Sequence, residues 1–594
     1  MPVVAISVKH LNKLIGQDHP QEKLVQALEQ LGCDVEDTVN LFLYKCPACG
    51  APNDKLETEE GTKRCEFCGH EDGTIFEKFA SDKVIRIDLL ADRPDLFNVG
   101  GLARSLRGYL DIETGLPQFA LSKGELEVNV DPAILKIRPY IVCAEAEVPA
   151  LDHNSLREIM KLQENLHWGI GRDRKLSSIG VYNLDTIKGP ITYTGVKPDS
   201  MKFYPLGYPD TQMTPAQILE KHPKGVGYAQ LLQGKELYPI LKDNQGMVLS
   251  MPPIINSEET RCQIGTTKLF IDVTGISEAA VVDSLNILTT GLIELGAKIK
   301  TVKVNYPDKS IVTPDLKSQK IEVGFQNAKD WIGVDFTKPE FEKSLRKMCL
   351  GVQPKKDGIY EVQYPAYRSD IRHEVDIFED LAIGYGFDKI EPRLVPTMTV
   401  GSERAEEKIS NIVRDIMLGL GYTEIMSLNL NSIENHITKI NLPQDNNYVV
   451  VGNPKTINQK VVRKHLMSGI LETLEKNKKK VVPQAIFELA NVVCLNPEME
   501  TGTNEYRHVG FAVIGPDAGY AEVRAVLDSI LRELGLTGQY VAATHPAFIE
   551  GRYAEVSNEN GFLARVGELH PKVITNFNLA YPIAYCELRL IKVI

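Results

Sequence analysis

The sequence predicts an α+β protein built from several domains, on three observations. The chain has 594 residues, which at roughly 100–200 residues per domain suggests about four domains. Its composition, 43% hydrophobic and 25% charged, is typical of a globular protein. Strand-like alternation, as in VVAISV near the N-terminus, and helical spacing, as in QEKLVQALEQLG, recur in mixed order along the chain.

The N-terminal segment illustrates both patterns. The alternating run VVAISV predicts a strand, and the helix that follows carries Leu24, Leu28 and Leu31 on one stripe. Gly32 comes next and is suited to end that helix, because glycine adopts the left-handed conformation without steric cost.

Changes of pattern divide the chain into four predicted domains. The first covers residues 1–145 and carries a polar, cysteine-bearing insertion at about 44–73. A stretch of short strands follows over 146–314, then a smaller α+β unit over 315–392. The last domain, 393–594, begins with a long helix and ends in a series of strands.

The charge balance is acidic, with a net charge of −12 and a pI of about 5.6. This average argues against coating a polyanion wholesale, but local basic patches can still bind RNA. Two such patches are Arg172-Asp-Arg174-Lys175 and Lys476-Asn-Lys478-Lys479-Lys480, and both could equally be solvated surface. No signal core and no run of about 18 apolar residues is visible, so we expect a cytoplasmic protein without membrane contact.

Four of the ten cysteines form two CxxC pairs, with 15 residues between the pairs. This spacing predicts a structural zinc ribbon, in which each pair offers two thiolates to one Zn²⁺. A glycine follows each pair and lets the backbone turn around the metal. His70 is a spare ligand, and the alternative is four reduced surface cysteines. The predicted ligands are Cys46, Cys49, Cys65 and Cys68.

An acidic cluster lies in the stretch AYRSDIRHEVDIFEDLAIGYGFDKI. Asp376, Glu379 and Asp380 have the spacing that brings side chains to one face of a helix, and Asp370 lies shortly upstream. Like charges this close disfavour one another unless a cation lies among them, and carboxylate oxygens suit Mg²⁺. The alternative is a solvated acidic helix face.

The same stretch resembles a known family. It reads as Arg368-Ser-Asp370-Ile, Glu374-Val-Asp376-Ile-Phe-Glu379-Asp380 and Gly384-Tyr-Gly-Phe-Asp388-Lys-Ile390. These runs are similar to the R-x-D-I, E-x-D-x-x-E-E and x-Y-G-[YF]-[DN]-x-I runs of phenylalanine–tRNA ligase β subunits of the archaeal/eukaryotic type. IDLLADRPDLFNVGGLARSL, HPAFIEGRYAEV and GELHPKVITNFNL resemble further family stretches. The resemblance covers nearly everything except the cysteine insertion.

The resemblance implies a metal and two partners. In that family the four acidic positions are assigned to Mg²⁺ shared with the α subunit, which here means Asp370, Asp376, Glu379 and Asp380. Asp380 replaces the usual glutamate, which keeps the charge but shortens the reach. The implied partners are the α subunit, in an α2β2 heterotetramer, and tRNA(Phe).

The resemblance also implies that 146–314 is an editing domain, which hydrolyses tyrosine mis-attached to tRNA(Phe). LSMPPIIN and LFIDVTG resemble stretches of that domain, and on their position its pocket lies at Leu241, Ser250, Asn256 and Asp272. Rejecting tyrosine requires a polar partner for one phenol hydroxyl, because a single hydrogen bond discriminates strongly. Asn256 or Asp272 could supply it or hold the ammonium group, and Ser250 could orient water or the ester. No Ser-His-Asp order is visible, so we expect no covalent triad.

Each of these pocket residues also has an ordinary structural explanation. Ser250 and Asn256 could be turn or cap residues, and Asp272 could bond to nearby backbone. Arg172 and Arg174 are candidates for the tRNA 3′ end through phosphate contacts.

The last domain resembles a class II synthetase catalytic domain that lacks its catalytic motifs. VVRKHLMSGILETLEKNKKK and QAIFELANVV resemble the region where that fold holds ATP. There Phe487-Glu488 has no arginine after it, and the closing strands contain no GxGxGxxR. An arginine is required because it binds a phosphate bidentately. ATP and phenylalanine are therefore expected on the α subunit.

Three functions remain open on the sequence. The chain could be the β subunit of a phenylalanine–tRNA ligase with editing activity. It could instead be a stand-alone deacylase acting in trans, or a non-enzymatic zinc-bearing RNA-binding paralogue. A partner with intact class II motifs would favour the first.

Overall fold

The computed structural model describes residues 3–88, 92–395, 397–559 and 561–590. Residues 89–91 of the IDLLADRPDL stretch, and residues 591–594 at the end of the stretch predicted to form the closing strand, lie outside these ranges. The chain folds as two units, Met1–Arg393 and Leu394–Ile594. Both mix helices with sheets, so the predicted α+β class is confirmed. Within the described ranges, no helix has the length and apolar character needed to cross a membrane.

The N-terminal part of the first unit is a four-stranded sheet in the order β1-β4-β2-β3. The helix predicted from its leucine stripe buries Leu24 and Leu28. Gly32 follows its end in the left-handed conformation, with φ of 88°. The strands and helices are β1 Val3–Ser7, β2 Asp34–Lys45, β3 Pro52–Leu56, β4 Glu77–Asp88, α1 Val8–Ile15, α2 Gln21–Gln30 and α3 Val99–Tyr109.

A ten-stranded sheet follows, in the order β11-β10-β9-β8-β5-β13-β6-β12-β7, with β14 paired to β13. The elements are β5 Leu121–Val130, β6 Tyr140–Glu147, β7 Ser177–Asn183, β8 Ile191–Val196, β9 Tyr238–Lys242, β10 Val248–Met251, β11 Ile255–Asn256, β12 Lys268–Gly275, β13 Lys298–Asn305, β14 Ser310–Thr313, α4 His153–Trp168, α5 Pro215–Lys221, α6 Pro223–Tyr228 and α7 Glu278–Glu294.

The start of this sheet differs from the predicted domain boundary at 145/146. That boundary falls inside β6, and β5 lies wholly upstream of it. The reason is long-range pairing, since β6 binds β12 and β5 runs parallel to β13. Pattern along the chain does not reveal such partners. The functional roles assigned to the four domains stay predictions.

The first unit ends in a three-stranded sheet in the order β15-β17-β16, covered by three helices. Its elements are β15 Gln319–Gly324, β16 Gly351–Pro354, β17 Ile359–Tyr364, α8 Phe325–Ile332, α9 Lys338–Lys347 and α10 Glu374–Tyr385. Helix α10 carries the acidic cluster predicted from the sequence.

The second unit is a seven-stranded sheet in the order β18-β21-β22-β26-β25-β24-β23, plus the short pair β19-β20. Its long strands are antiparallel, and both faces of the sheet carry apolar clusters. The elements are β18 Thr423–Glu424, β19 Leu430–Asn431, β20 Val461–Val462, β21 Gln484–Leu495, β22 Thr503–Ile514, β23 Gln539–Ala542, β24 Phe548–Asn558, β25 Gly561–Leu569, β26 Ile583–Arg589, α11 Ala405–Gly419, α12 Met467–Lys476, α13 Tyr520–Glu533 and α14 Pro571–Asn576.

Candidate active site

A cavity in the first unit opens beside strands β7, β10, β11 and β12 and helix α4. It contains about 920 Å³ of space, part of it open to solvent. Three of the four predicted pocket residues, Ser250, Asn256 and Asp272, line it. The remaining wall is largely apolar, with basic side chains at intervals. Its other lining residues include Leu156, Ile159, Met160, Arg174, Ile179, Lys224, Ile254 and Arg261.

Strand pairing brings these residues together from distant parts of the chain. Asp272 on β12 stands opposite Gly180 on β7, and Ser250 on β10 stands opposite Asn256 on β11. Tyr182 lies on the same face of β7 as Gly180, because side chains two positions apart share a face of a strand. Asp272, Gly180 and Tyr182 therefore meet at one point of the cavity wall.

The tyrosine and the aspartate form a buried polar chain with the serine. The Tyr182 hydroxyl contacts Asp272 Oδ1 and lies 2.8 Å from Ser250 Oγ. A tyrosine has one hydroxyl proton, so it donates to the carboxylate and accepts from the serine hydroxyl. Among the described residues, no hydrogen bond reaches Asp272 Oδ2. That oxygen is the acceptor available to a bound molecule.

Burial dominates the electrostatics of this chain. Loss of hydration raises the pKa of Asp272 to about 7, although the hydrogen bond from Tyr182 and the charge of Arg138 oppose the shift. The pKa of Tyr182 is raised well above its usual range by the same burial and by the neighbouring carboxylate. Near neutral pH the tyrosine is therefore a neutral donor, while the aspartate exchanges between charged and neutral forms.

Glycine is required at position 180. A Cβ there would overlap the Tyr182 hydroxyl and lie 2.5 Å from Asp272 Oδ1. Neither Gly180 nor Tyr182 is among the pocket residues predicted from the sequence. A signal was present in SSIGVYN, because a glycine inside a strand often marks the close approach of another group.

Leu241 differs from its predicted place at the pocket. It is fully buried in an apolar cluster with residues such as Phe270 and does not line the cavity. Leu241 does stand opposite Ser250 in the β9–β10 pairing, so it lies on the strand next to the cavity wall and not on a strand that lines the cavity. Asn256 is half-buried and donates from Nδ2 to the carbonyl of Val181 at 3.3 Å.

The two arginines predicted to contact tRNA have different environments. Arg172 is exposed. Arg174 is buried and donates to the carbonyl of Ile254 at 2.9 Å and to Glu164 Oε1 at 2.6 Å. Its guanidinium is thus committed to the cavity wall, which corrects its expected role as a phosphate ligand. Arg172 keeps that predicted role.

The four predicted metal-ligating cysteines form one buried cluster. Their sulfurs all lie within 4.8 Å of one another, with 3.9 Å between Cys46 and Cys68 and 3.6 Å between Cys49 and Cys65. These separations fit the edge of about 3.8 Å expected for four sulfurs placed tetrahedrally at about 2.3 Å from a metal. His70 is not part of this group. The cysteines could therefore hold one metal ion.

Local backbone geometry forms the cluster. Gly50 and Gly69 adopt φ of 70° and 78°, and each donates its amide to the carbonyl of the first cysteine of its pair, at 3.0 Å in both cases. Asn53 adds support from β3, because its Nδ2 lies 3.7 Å from Cys65 Sγ. Donors that point at a sulfur orient it and stabilise its charged form.

The acidic residues on α10 and just before it do not form a metal-ligand group among the described residues. Asp370 and Asp380 share the buried Arg368, whose Nη2 lies 2.6 Å and 2.8 Å from their carboxylates. Asp376 caps the helix and accepts the backbone amides of residues 372 and 373, at 2.7 Å each. Glu379 is exposed. A metal-ligand cluster of three or more such groups occurs in the described ranges only at the cysteines.

The expected Mg²⁺ site at Asp370, Asp376, Glu379 and Asp380, which the resemblance implies is shared with the α subunit, is not formed by these residues alone and stays a prediction. A cation does lie among the carboxylates, but it is a guanidinium supplied by the chain itself. The half-buried Arg93 lies near the same carboxylates. Burial opposes its charge, but the charge and hydrogen bond of Asp95, together with the charges of Asp370 and Asp380, raise its pKa well above the usual range. The residues present do not fit a metal within this chain.

In the second unit, Glu488 is neutralised internally. Arg463 lies with Nη1 2.7 Å from Glu488 Oε1, and both residues are buried. Ser427 also donates to this carboxylate at 2.7 Å. Neither charge is free for a phosphate group in this arrangement. The expectation that this unit makes no adenylate stays a prediction.

Comparisons with known proteins agree with this architecture. Residues 390–590 match the family model described as "Phenylalanyl tRNA synthetase beta chain CLM domain", and residues 321–387 match "tRNA synthetase B5 domain". The chain is 34% identical over 601 residues to the phenylalanine–tRNA ligase beta subunit of Methanosphaera stadtmanae, covering 100% of each. It is 36% identical over 591 residues to that of Methanosarcina acetivorans, covering 99% of this chain and 98% of the relative.

A solved structure is also similar. It is an N-terminal fragment of the phenylalanyl-tRNA synthetase beta subunit from Pyrococcus horikoshii, with a TM-score of 0.56 and 35% identity. The match covers 65% of this chain and 99% of the fragment. The family predicted from the sequence is confirmed: the chain belongs to the phenylalanine–tRNA ligase β subunits of the archaeal type.

Proposed function

We propose that this chain works with a separate α subunit in the ATP-dependent attachment of phenylalanine to tRNA(Phe), and that its own cavity hydrolyses mis-attached tyrosine. The observation that carries the editing proposal is the buried polar chain of Asp272, Tyr182 and Ser250 in a largely apolar wall. Phenylalanine and tyrosine differ by one hydroxyl, and a buried hydrogen-bonding group is the kind of feature that separates them.

In this proposal Asp272 Oδ2 accepts the phenol hydroxyl of the tyrosyl group. Asn256, whose amide is half-buried at the cavity, orients the ester or the ammonium group. Water adds to the ester carbonyl, the bond to the ribose oxygen breaks, and that oxygen takes up a proton. The products are tyrosine and uncharged tRNA.

Water is the nucleophile in this proposal because, among the described residues, no histidine, lysine or carboxylate is hydrogen-bonded to Ser250. Its hydroxyl is engaged with Tyr182. The cavity histidine, His167, accepts the amide of Ile179 at Nε2, and burial lowers its pKa to about 4. That nitrogen is therefore occupied, and a Ser–His nucleophile is not supported.

The adenylate would form on the α subunit, where ATP and phenylalanine would bind, in an α2β2 assembly acting in the cytoplasm. Arg172, which is exposed two residues before the cavity-lining Arg174, would contact the tRNA 3′ end. The purified chain alone should show no phenylalanine-dependent ATP–pyrophosphate exchange, because Glu488 is already paired with Arg463. Co-expression with an α subunit that has intact class II motifs should produce both exchange and phenylalanine charging.

The same assays separate the alternatives. Exchange by the chain alone would overturn the assignment of the adenylate to a partner. Hydrolysis of tyrosyl-tRNA without any α partner in the genome would favour the stand-alone deacylase. Loss of both hydrolysis and partner binding would favour the RNA-binding paralogue.

We also propose that the metal at the cysteine cluster is Zn²⁺ in a structural role. Four thiolates fill a tetrahedral site and leave no position for a substrate. Elemental analysis of the purified chain should find about one zinc per chain. Cys65→Ser should lose it, whereas Cys494→Ser, at a half-buried cysteine of the second unit, should retain it. Equal zinc in both variants would reject the assignment.

A further inference from the structure

The cysteine cluster lies against the cavity rather than apart from it. We use "ribbon" for residues 46–76, which contain the four cysteines. Phe67, between Cys65 and Cys68, is 7% exposed and lines the cavity together with Tyr182 and Asp272. A residue held between two metal ligands is thus part of the cavity wall.

An ion pair links the ribbon to helix α4. Lys161 Nζ lies 2.7 Å from Glu66 Oε2 and 3.2 Å from Asp54 Oδ1. The preceding residue, Met160, packs on the ribbon's apolar cluster and also lines the cavity. The helix that frames one side of the cavity is therefore attached to the ribbon by charge and by apolar contact.

Two backbone segments outside the ribbon, at Gly207 and at Pro223, also approach it closely. Gly207 has φ of 89°, and a Cβ there would lie 3.2 Å from Cys68 Cβ. A Cβ on Gly69 would lie 2.8 Å from Pro223 Cβ, next to the cavity-lining Lys224. Contacts this tight require glycine and leave little freedom for the ribbon to move relative to the cavity.

The first cysteine pair makes the third contact. Arg261 Nη1 donates to the carbonyl of Ala48 at 3.3 Å, and the same arginine lines the cavity. Glu258 Oε1 lies 2.7 Å from the same Nη1 atom and forms an ion pair with the arginine. Both halves of the metal cluster thus reach the cavity, one through Phe67 and one through Arg261.

We propose that the ribbon is a wall of the editing cavity, and that its metal fixes Phe67 as an aromatic surface for the aminoacyl side chain. The proposal rests on the proposed editing function. The ribbon's own apolar cluster is small, with Tyr44, Ala51 and Phe76 beside the cysteines and Phe67. A segment with so little core depends on its metal for folding. Removing the metal should therefore open this side of the cavity.

The first test is kinetic and uses the full chain co-purified with its α subunit, with tyrosine-charged tRNA(Phe) as substrate. Phe67→Ala should raise KM roughly fivefold to tenfold with kcat nearly unchanged, because aromatic contacts contribute to binding before the chemical step. Phe67→Leu should restore part of the loss. Phe387→Ala removes an exposed aromatic side chain of the first unit that belongs neither to the ribbon nor to the cavity, and it should leave KM unchanged.

Zinc content is measured on every variant, so that only metal-loaded proteins are compared. A metal-loaded Phe67→Ala with wild-type KM would overturn the proposal. A second pair tests the ion pair: Lys161→Met should raise KM, while Lys303→Met, which removes a lysine from an exposed pair with Glu127, should not.

A second measurement does not depend on activity. Amide hydrogen exchange in β7 and β10 should accelerate in Cys65→Ser, whereas exchange in β21 and β22 of the second unit should stay as in the wild type. If the wild type does not hydrolyse tyrosyl-tRNA and this exchange pattern still appears, the proposed editing function is rejected. The proposal that the ribbon forms a wall of the cavity is then still supported. If exchange in the cavity strands is unchanged in the metal-free variant, the wall is rejected.

Discussion

Replacing Asp272 with asparagine is expected to lower hydrolysis of tyrosyl-tRNA about 100-fold, the usual order for removing a preorganised polar group from an active site. The change keeps the shape of the side chain beside Tyr182 and Ser250 but removes the carboxylate proposed to accept the phenol hydroxyl. Phenylalanine charging by the complex should be nearly unaffected, so net mischarging with tyrosine should rise. The measurement is deacylation of preformed tyrosyl-tRNA, followed by charging with each amino acid.

The pH dependence gives an independent signature of the same residue. Since burial raises the pKa of Asp272 to about 7, the carboxylate fraction increases as pH rises from about 6 to about 8. Hydrolysis by the wild type should rise through this window beyond the intrinsic rise of the ester. Asp272→Asn should show only the intrinsic rise.

We do not expect the lower hydrolysis by Asp272→Asn to result from a lower free energy of unfolding. The folded pKa of about 7 exceeds the unfolded value of 3.8, so the folded protein holds the proton more tightly. The resulting contribution is fully present below the unfolded pKa and is lost as pH rises through about 7. Asp272→Asn should therefore be no less stable than the wild type at pH 8. Asn256→Ala should also raise mischarging, and unchanged deacylation in both variants would reject this pocket assignment.

Replacing Arg368 with methionine is expected to lower the free energy of unfolding of the first unit by about 3–5 kcal/mol, the usual cost of breaking a buried ion pair from one side. The guanidinium serves both Asp370 and Asp380, and its side chain is only 3% exposed. Its loss leaves two carboxylates without their direct cation. Denaturant unfolding followed by a probe in the first unit measures the change.

The matched control is Arg372→Met, because that arginine is exposed and lies on the same segment. It should change stability by no more than about 0.5 kcal/mol. Stability of Arg368→Met equal to the wild type would contradict the internal neutralisation. Recovery of the variant's stability on adding Mg²⁺ would return the acidic face to the role of a cation site.

The pocket was predictable only in part. Ser250, Asn256 and Asp272 were found from the motif, and all three line the cavity. The sequence did not distinguish Leu241 from these three residues. Its position in the motif does not tell whether its side chain reaches the cavity or the apolar core. Tyr182 was missed because its hydroxyl gains meaning only when β7 pairs with β12 and brings Asp272 beside it.

The sequence by itself determined the family, the α+β class and the cysteine cluster, because these depend on patterns within short stretches. Each CxxC turn sets two ligands by local geometry, so spacing along the chain was sufficient. Tertiary structure alone decided how the charges are used. Asp370 and the α10 residue Asp380 meet Arg368, and Arg174 turns inward to Ile254 and Glu164. Folding also decided where the ribbon lies, since Phe67 and Asp272 meet at one cavity from positions about 200 residues apart. Burial and long-range strand pairing determine these contacts, and the spacing of residues within a short stretch predicts neither of them.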